Sequence, residues 1–416
     1  MPAQKTQALL HSKDRMTQFV GWPGHFDERR GGSFEGHHFG SLMANIHAEL
    51  AEGAASAGLS LDAAAEAMRT TLLDPPQAPP LSQQMRGLAA LLLYGVREMH
   101  REAHTLAAAL ARHPVMHVLP SQEAWRLCVD QPAVGDGLHA GLRFDNEPGY
   151  MAGMYRALAQ MVMQDMQGID LSAESFVDLH DTAVHGVFAR STLVHGLGMC
   201  RSSTLEAIAG FTAPGAGFPA SLQGLGVRDA LHVAEPGLEG IEQIRKGLRL
   251  PDETSTVCLT VGGNASVTGL EELQAGGETW CRVTLHVTMG RGRLASTRAL
   301  RTWPKTAVQL MGRIQACLDE CRKDCAAAAE DPDVKLRAIA LCCRSLEQLH
   351  PFPDGNARTI GVLVLNKLLL EQGLPPAALE DANRLDAYSV AEVMDEIRVG
   401  QGWFALIARN TAHPRC

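Results

Sequence analysis

Apolar residues recur along most of this chain at the roughly three-to-four-residue spacing that buries one face of a helix. Leu42 to about Leu73 is Ala-rich and helical in pattern, until Asp74-Pro75-Pro76 and Pro79-Pro80 break it. Leu81 to Arg112 reads as one long helix closed by His113-Pro114, and Ser121 to Val129 as a short one. Asp130 to Gly149, with Gly135, Gly137, Gly141 and Pro148, has the composition of a domain boundary. Helical periodicity returns over Tyr150 to Met166 and again after Ser172, where Phe176, Leu179, Ala183 and Val187 share a core-facing stripe. Gly210 to Gly226 is loop-like. The period then changes: Thr256 to Val261 and Trp280 to Val287 are β-branched and alternating, which predicts an antiparallel pair. From Lys305 onward helices dominate, and no internal repeat is visible. The pattern therefore predicts a mainly α fold with a small β-hairpin over about 256–290. A helical region with a polar, Gly-rich start occupies residues 1–149, and a second domain occupies 150–416.

Composition narrows this picture. Apolar residues make up 46% and aromatics only 5%, so the cores are built mostly from Leu, Ala, Val and Met. A net charge of -9 without a long basic run excludes a general nucleic-acid binder, because phosphate neutralisation needs clustered Lys and Arg. The longest apolar run, Leu88 to Val96, is about half of what a membrane span needs, and Met1 to Lys5 does not open a secretory signal. Ten cysteines without the short spacings of a disulfide scaffold suggest a reducing, cytoplasmic setting. Cys317, Cys321 and Cys325 would share one helix face; with no His or fourth Cys at a zinc-finger spacing, apolar packing is favoured over a metal site.

The chemistry concentrates in residues 350–358, His-Pro-Phe-Pro-Asp-Gly-Asn-Ala-Arg. Asp331-Pro332 starts a helix well, and Leu336, Ile339, Ala340, Cys343 and Leu346 form its buried stripe up to His350. Pro351 and Pro353 forbid its continuation, so a stiff loop follows, with Phe352 as an anchor. Gly355-Asn356 restarts a helix that Ile360, Leu363, Val364, Leu368 and Leu369 bury until Gly373 and Pro375-Pro376 end it. A loop turning into a helix start presents unpaired N–H groups to an anion. Asp354 could hold a divalent cation there, Arg358 could reach the same oxygens, and His350 could accept a proton near neutral pH. Base, metal carboxylate, anion nest and cation together suit phosphoryl chemistry.

With His350, Phe352, Asp354, Gly355, Asn356 and Arg358 in register, the segment resembles the motif of the Fic family, His-x-Phe-x-Asp/Glu-Gly/Ala-Asn-Gly/Lys-Arg. The resemblance extends over about 260 residues: the helix from Ser172, the helices flanking the motif, and the closing helices from Asp386 to Ile407. It implies a Fic-type helical bundle whose β-hairpin is a flap aligning the target polypeptide. It implies a transferase moving AMP or UMP from ATP or UTP to a Ser, Thr or Tyr hydroxyl of a target protein. His350 would be the general base, Asp354 the ligand of Mg²⁺ or Mn²⁺, Gly355, Asn356 and Ala357 the anion hole, Arg358 the phosphate ligand and Phe352 the loop anchor.

Two departures bear on the donor. Ala357 stands where the family usually has a second glycine, and Gly361 stands where many AMP-transferring members carry a second arginine. Members without the complete pattern transfer UMP, phosphocholine or phosphate, so CDP-choline is an alternative donor, and a binding module without turnover is an alternative role. The inhibitory-helix motif of the family has no match in the chain; Ala48 to Glu52-Gly53 comes nearest and lacks its hydroxyl. The Ala, Gly and Leu richness and the flexible start resemble effectors that a specialised secretion system delivers into host cells.

Overall fold

The computed structural model describes residues 36–73, 83–130, 132, 149–187, 228–233, 255–262, 266–275, 277–290, 293–302, 307–352, 355–385, 388 and 390–410. The fold is mainly α, as the periodicity predicts. The chain forms two compact units and crosses between them more than once: residues 1–129, 133–162 and 181–214 make the first, and 130–132, 163–180 and 215–416 the second.

In the first unit, α1 (Gly36–Ala57), α2 (Leu61–Leu73) and α3 (Gln83–Leu110) pack on one another. Ile46, Leu50, Ala64, Met68, Leu93, Val96 and Met99 are all at most 2% exposed and supply the contact. The helix begins at Gly36, six residues before the apolar pattern does, because Gly36 to Gly40 carry no stripe to announce it. Ser121–Cys128 is a 3₁₀ turn with Trp125 buried. α4 (Tyr150–Met166) comes within backbone contact of the chain around residue 183: a Cβ on Gly153 would meet the Ala183 carbonyl oxygen at 2.0 Å. Only glycine permits that approach. Arg156 fixes the same region through Glu102 at 3.0 Å and the His185 carbonyl at 3.2 Å.

The second unit contains the start of α5 (Ala173–Val184), a sheet, and α6 (Ala307–Ala327) and α7 (Pro332–Leu349) lying against each other. Ser172 and Ser175 cap α5 reciprocally, the Ser175 amide donating to the Ser172 hydroxyl at 3.2 Å and the Ser172 amide to the Ser175 hydroxyl at 2.7 Å. Cys317, Cys321 and Cys325 are buried on α6, and Cys342 and Cys343 on α7. Cys342 is pushed up to about 11: its hydrogen bond with Cys321 lowers it, while burial and the neighbouring thiols raise it more in sum. Cys321, Cys325, Cys342 and Cys343 are all raised, so these four stay protonated at neutral pH and pack as apolar groups.

The five strands β1 (Arg228–Val233), β2 (Ser255–Gly262), β3 (Ser266–Ala275), β4 (Glu278–Gly290) and β5 (Arg293–Thr302) form one antiparallel sheet in the order β1-β5-β4-β3-β2. The two segments predicted to pair directly lie in β2 and β4, and β3 separates them. Glu271, Glu272 and Gln274 interrupt the alternation of β3, which hides it from a periodicity argument. β4 and β5 approach α7.

Beyond the loop that follows α7, the chain is helical from residue 356 to 371: α8 (Asn356–Arg358), a π-helical stretch (Thr359–Val364) and α9 (Leu365–Glu371) run on without a break. α7 packs against this helix and against α10 (Val390–Asn410). No helix among the described residues is long and apolar enough to cross a membrane.

Candidate functional site

Everything in this site belongs to the second unit. Asp331 caps α7 as its sequence predicts, accepting from the amides of Asp333 at 2.9 Å and Val334 at 3.3 Å, with Pro332 in the first turn. The other end stops at His350, whose φ of 46° and ψ of 58° put it in the left-handed region, its amide still donating to the Glu347 carbonyl at 3.1 Å. A non-glycine residue there costs about 1–2 kcal/mol, so the neighbours must impose it. Pro351 supplies the reason: it offers no N–H and disfavours helical geometry in the residue before it.

Phe352 is fully buried. Its ring stacks on His180, with centroids 3.6 Å apart and planes within 7°, and on Phe176 at 5.3 Å. Asn356 holds the same residue from the other side. Its Oδ1 accepts from the Phe352 amide at 2.9 Å and its Nδ2 donates to the Phe352 carbonyl at 2.8 Å. At 2% exposure, this amide pairs both backbone groups of a buried residue and closes the loop into a ring. Asn356 thus shapes the loop by pairing the backbone of Phe352. Gly355, with φ of 77°, makes the turn into the helix; its carbonyl accepts from the Thr359 amide at 3.0 Å. Pro353 and the predicted metal carboxylate Asp354 lie outside the described residues.

Ala357 and Arg358 follow in the first turn, both half-buried. The Arg358 guanidinium makes a two-pronged pair with Asp130, its Nη1 donating to Oδ1 and its Nη2 to Oδ2 at 2.9 Å. Sequence reasoning missed Asp130, which lies in the glycine-rich stretch read as a boundary, 228 positions before its partner.

The helix loosens into π geometry at Thr359, directly after Arg358. Such wide turns recur at functional sites. Gly361 lies within this stretch and has no room for a side chain: a Cβ there would stand 2.7 Å from the Ala382 Cβ and 3.3 Å from Leu385 Cδ1. The missing second arginine is thus built into the packing of the 3₁₀ turn Ala382–Arg384.

Buried polar groups pin the rest of the helix. Asn366 bonds the carbonyls of Val362 and Ala377 and accepts from the Ala377 amide at 2.7 Å, fastening the Gly-Leu-Pro-Pro exit. Lys367, 1% exposed, pairs with Asp165 at 3.1 Å and Glu371 at 3.2 Å, and Glu371 also accepts from the Leu171 amide at 2.8 Å. Burial holds the Glu371 carboxyl above its ordinary value, against the pull of Lys367 and that amide. Glu371 is four residues along the same helix, whereas Asp165 lies on another helix and left no sign in the sequence.

The structure thus gathers His350, Phe352, Gly355, Asn356, Ala357 and Arg358 on one clamped loop and helix start. No family model matches the chain. Over 66 residues, 16% of this chain, it is 47% identical to phosphocholine transferase AnkX of Legionella pneumophila. The match spans 7% of the length of that curated relative. The partial likeness relates the chain to a transferase and fits the Fic-like motif, whose variants include phosphocholine transfer.

Proposed function

We propose that this protein is a Fic-type transferase that moves a phosphate-containing group from a nucleotide-derived donor to a hydroxyl of a target protein. The observation that carries it is the loop: an imidazole at the end of α7 and a guanidinium in the next helix turn, with Asn356 and buried Phe352 fixing the bend between them. Catalysis of phosphoryl transfer is mostly positioning and charge stabilisation, and a rigid loop supplies the first.

The donor favoured is a CDP-choline-like diphosphate. Gly361 stands where an arginine would orient a triphosphate, its packing disfavours any side chain there, and the similarity over 66 residues is to a phosphocholine transferase. AMP or UMP transfer from ATP or UTP is the second reading, supported by the matched motif residues.

In the proposed reaction His350 takes the proton of the acceptor hydroxyl as its oxygen bonds to the distal phosphorus. The bond from that phosphorus to the bridging oxygen breaks, and CMP leaves with the electron pair. Arg358 and the amides at the helix start hold the diphosphate oxygens. Asp354 would hold Mg²⁺, which needs only one or two carboxylates beside substrate phosphates and would there neutralise phosphate charge. Ala357 narrows the anion nest relative to glycine, and the sheet beside α7 is the element proposed to align the target chain.

Labelled CDP-choline, ATP and UTP, each incubated with the full chain, Mg²⁺ and host-cell lysate, test the reading. Transfer of label to protein from CDP-choline supports it; no transfer from any of the three overturns it. The same reading carries the expectation of delivery into a host cell, which a translocation reporter fused to residues 1–60 tests.

A further inference from the structure

Among the described residues, Asp130 sets its carboxylate against the cation of the proposed site. The pair is two-pronged, with both carboxylate oxygens facing both terminal nitrogens of the guanidinium, and it is partly withdrawn from water: the side chains are 18% exposed at Arg358 and 23% at Asp130. A guanidinium fork binds a carboxylate and a phosphate in the same geometry and through the same N–H groups. The face of Arg358 that would receive a donor phosphate is therefore already filled by an anion from the chain itself. Asp130 stands in for the ligand.

We infer that Asp130 is a built-in competitor for the phosphate site, and that a diphosphate donor binds by exchange with its carboxylate at Arg358. The inference rests on the proposed function only in assigning Arg358 to a phosphate; it does not need any group to be transferred. Val129, directly before Asp130, is buried. Asp130 acts through Arg358 and so is a regulatory residue, with no part in the bond-making step.

Calorimetric titration of the full chain with inorganic pyrophosphate, and separately with CDP-choline, tests this. Asp130→Asn keeps the shape and removes the charge, and Asp130→Ala repeats the test if that variant folds poorly. Exchange predicts a roughly tenfold lower dissociation constant for pyrophosphate in either variant. The gain must vanish in Asp130→Asn/Arg358→Ala. Binding that is unchanged or weaker without the carboxylate overturns the inference, showing Asp130 to be a support for Arg358. A gain that survives removal of Arg358 overturns it as well, because it then reflects net charge alone. Binding by neither wild type nor variants overturns it together with the assignment of Arg358. Tighter pyrophosphate binding in a protein that transfers nothing supports the exchange while sinking the transferase reading.

Discussion

Gly361→Ala places one methyl group where the wall of the Ala382–Arg384 turn already stands. The added Cβ would lie 2.7 Å from the Ala382 Cβ, 3.3 Å from Leu385 Cδ1 and 3.4 Å from the Ala382 Cα, whereas carbon atoms pack best at about 3.5–4.0 Å. Two effects oppose each other. Replacing glycine by alanine inside a helix ordinarily gains about 0.5–1 kcal/mol. Overfilling a packed core costs about 1–3 kcal/mol, and a Cβ fixed to the backbone cannot rotate out of an overlap of about 1 Å. The packing cost wins, with a net loss of about 1–2 kcal/mol. Urea unfolding followed by circular dichroism reads this as a lower midpoint at unchanged slope. An arginine at the same position begins with the same Cβ and loses at least as much. Ala382→Gly, added to Gly361→Ala, removes the contacting methyl and recovers part of the loss. A Gly361→Ala protein more stable than wild type would refute the tight wall, and with it the packing reason for the absent second arginine.

Asn356→Ala strands the Phe352 amide and carbonyl in a buried place and lowers stability by about 2–4 kcal/mol in denaturant unfolding; a change under about 0.5 kcal/mol contradicts the loop clamp. Lys367→Met leaves the carboxylates of Asp165 and Glu371 without their cation and costs about 3 kcal/mol or more by the same measurement. For Glu371 the direction with pH follows from its carboxyl lying above the ordinary value of 4.5. A raised carboxyl contributes stability that is fully present below the unfolded value and is lost as pH rises through the folded one. The unfolding free energy of wild type relative to Glu371→Gln therefore falls as pH rises past the ordinary carboxyl value of 4.5; a rise instead contradicts the assignment.

How much of this was legible in the chain depended on whether the determining contact was local. The cap at Asp331-Pro332, the stop before Pro351, the anchor Phe352 and the restart at Gly355 were all readable, because each follows from the geometry of a few adjacent residues. The anchoring partners were half visible: Phe176 lay on a predicted core stripe, whereas nothing marked His180 as the ring stacked on Phe352. Asp130, Asp165 and the wall around Gly361 were invisible, since their partners are between 21 and 228 positions away. The sheet was half read for a different reason. Strands β2 and β4 alternate cleanly, but β3 carries acidic residues within its span and so left no period-2 signal. The metal carboxylate Asp354 remains a sequence-based proposal.

The central claim is that His350 serves as the base of a group-transfer site on this clamped loop. Its most direct test is intact-mass measurement of lysate acceptor proteins, and of the chain itself, after incubation with CDP-choline and Mg²⁺, using wild type and His350→Ala side by side. The account predicts protein carrying the phosphocholine increment with wild type and none with His350→Ala. An equal increment from both proteins, or none from wild type with any donor, would contradict it.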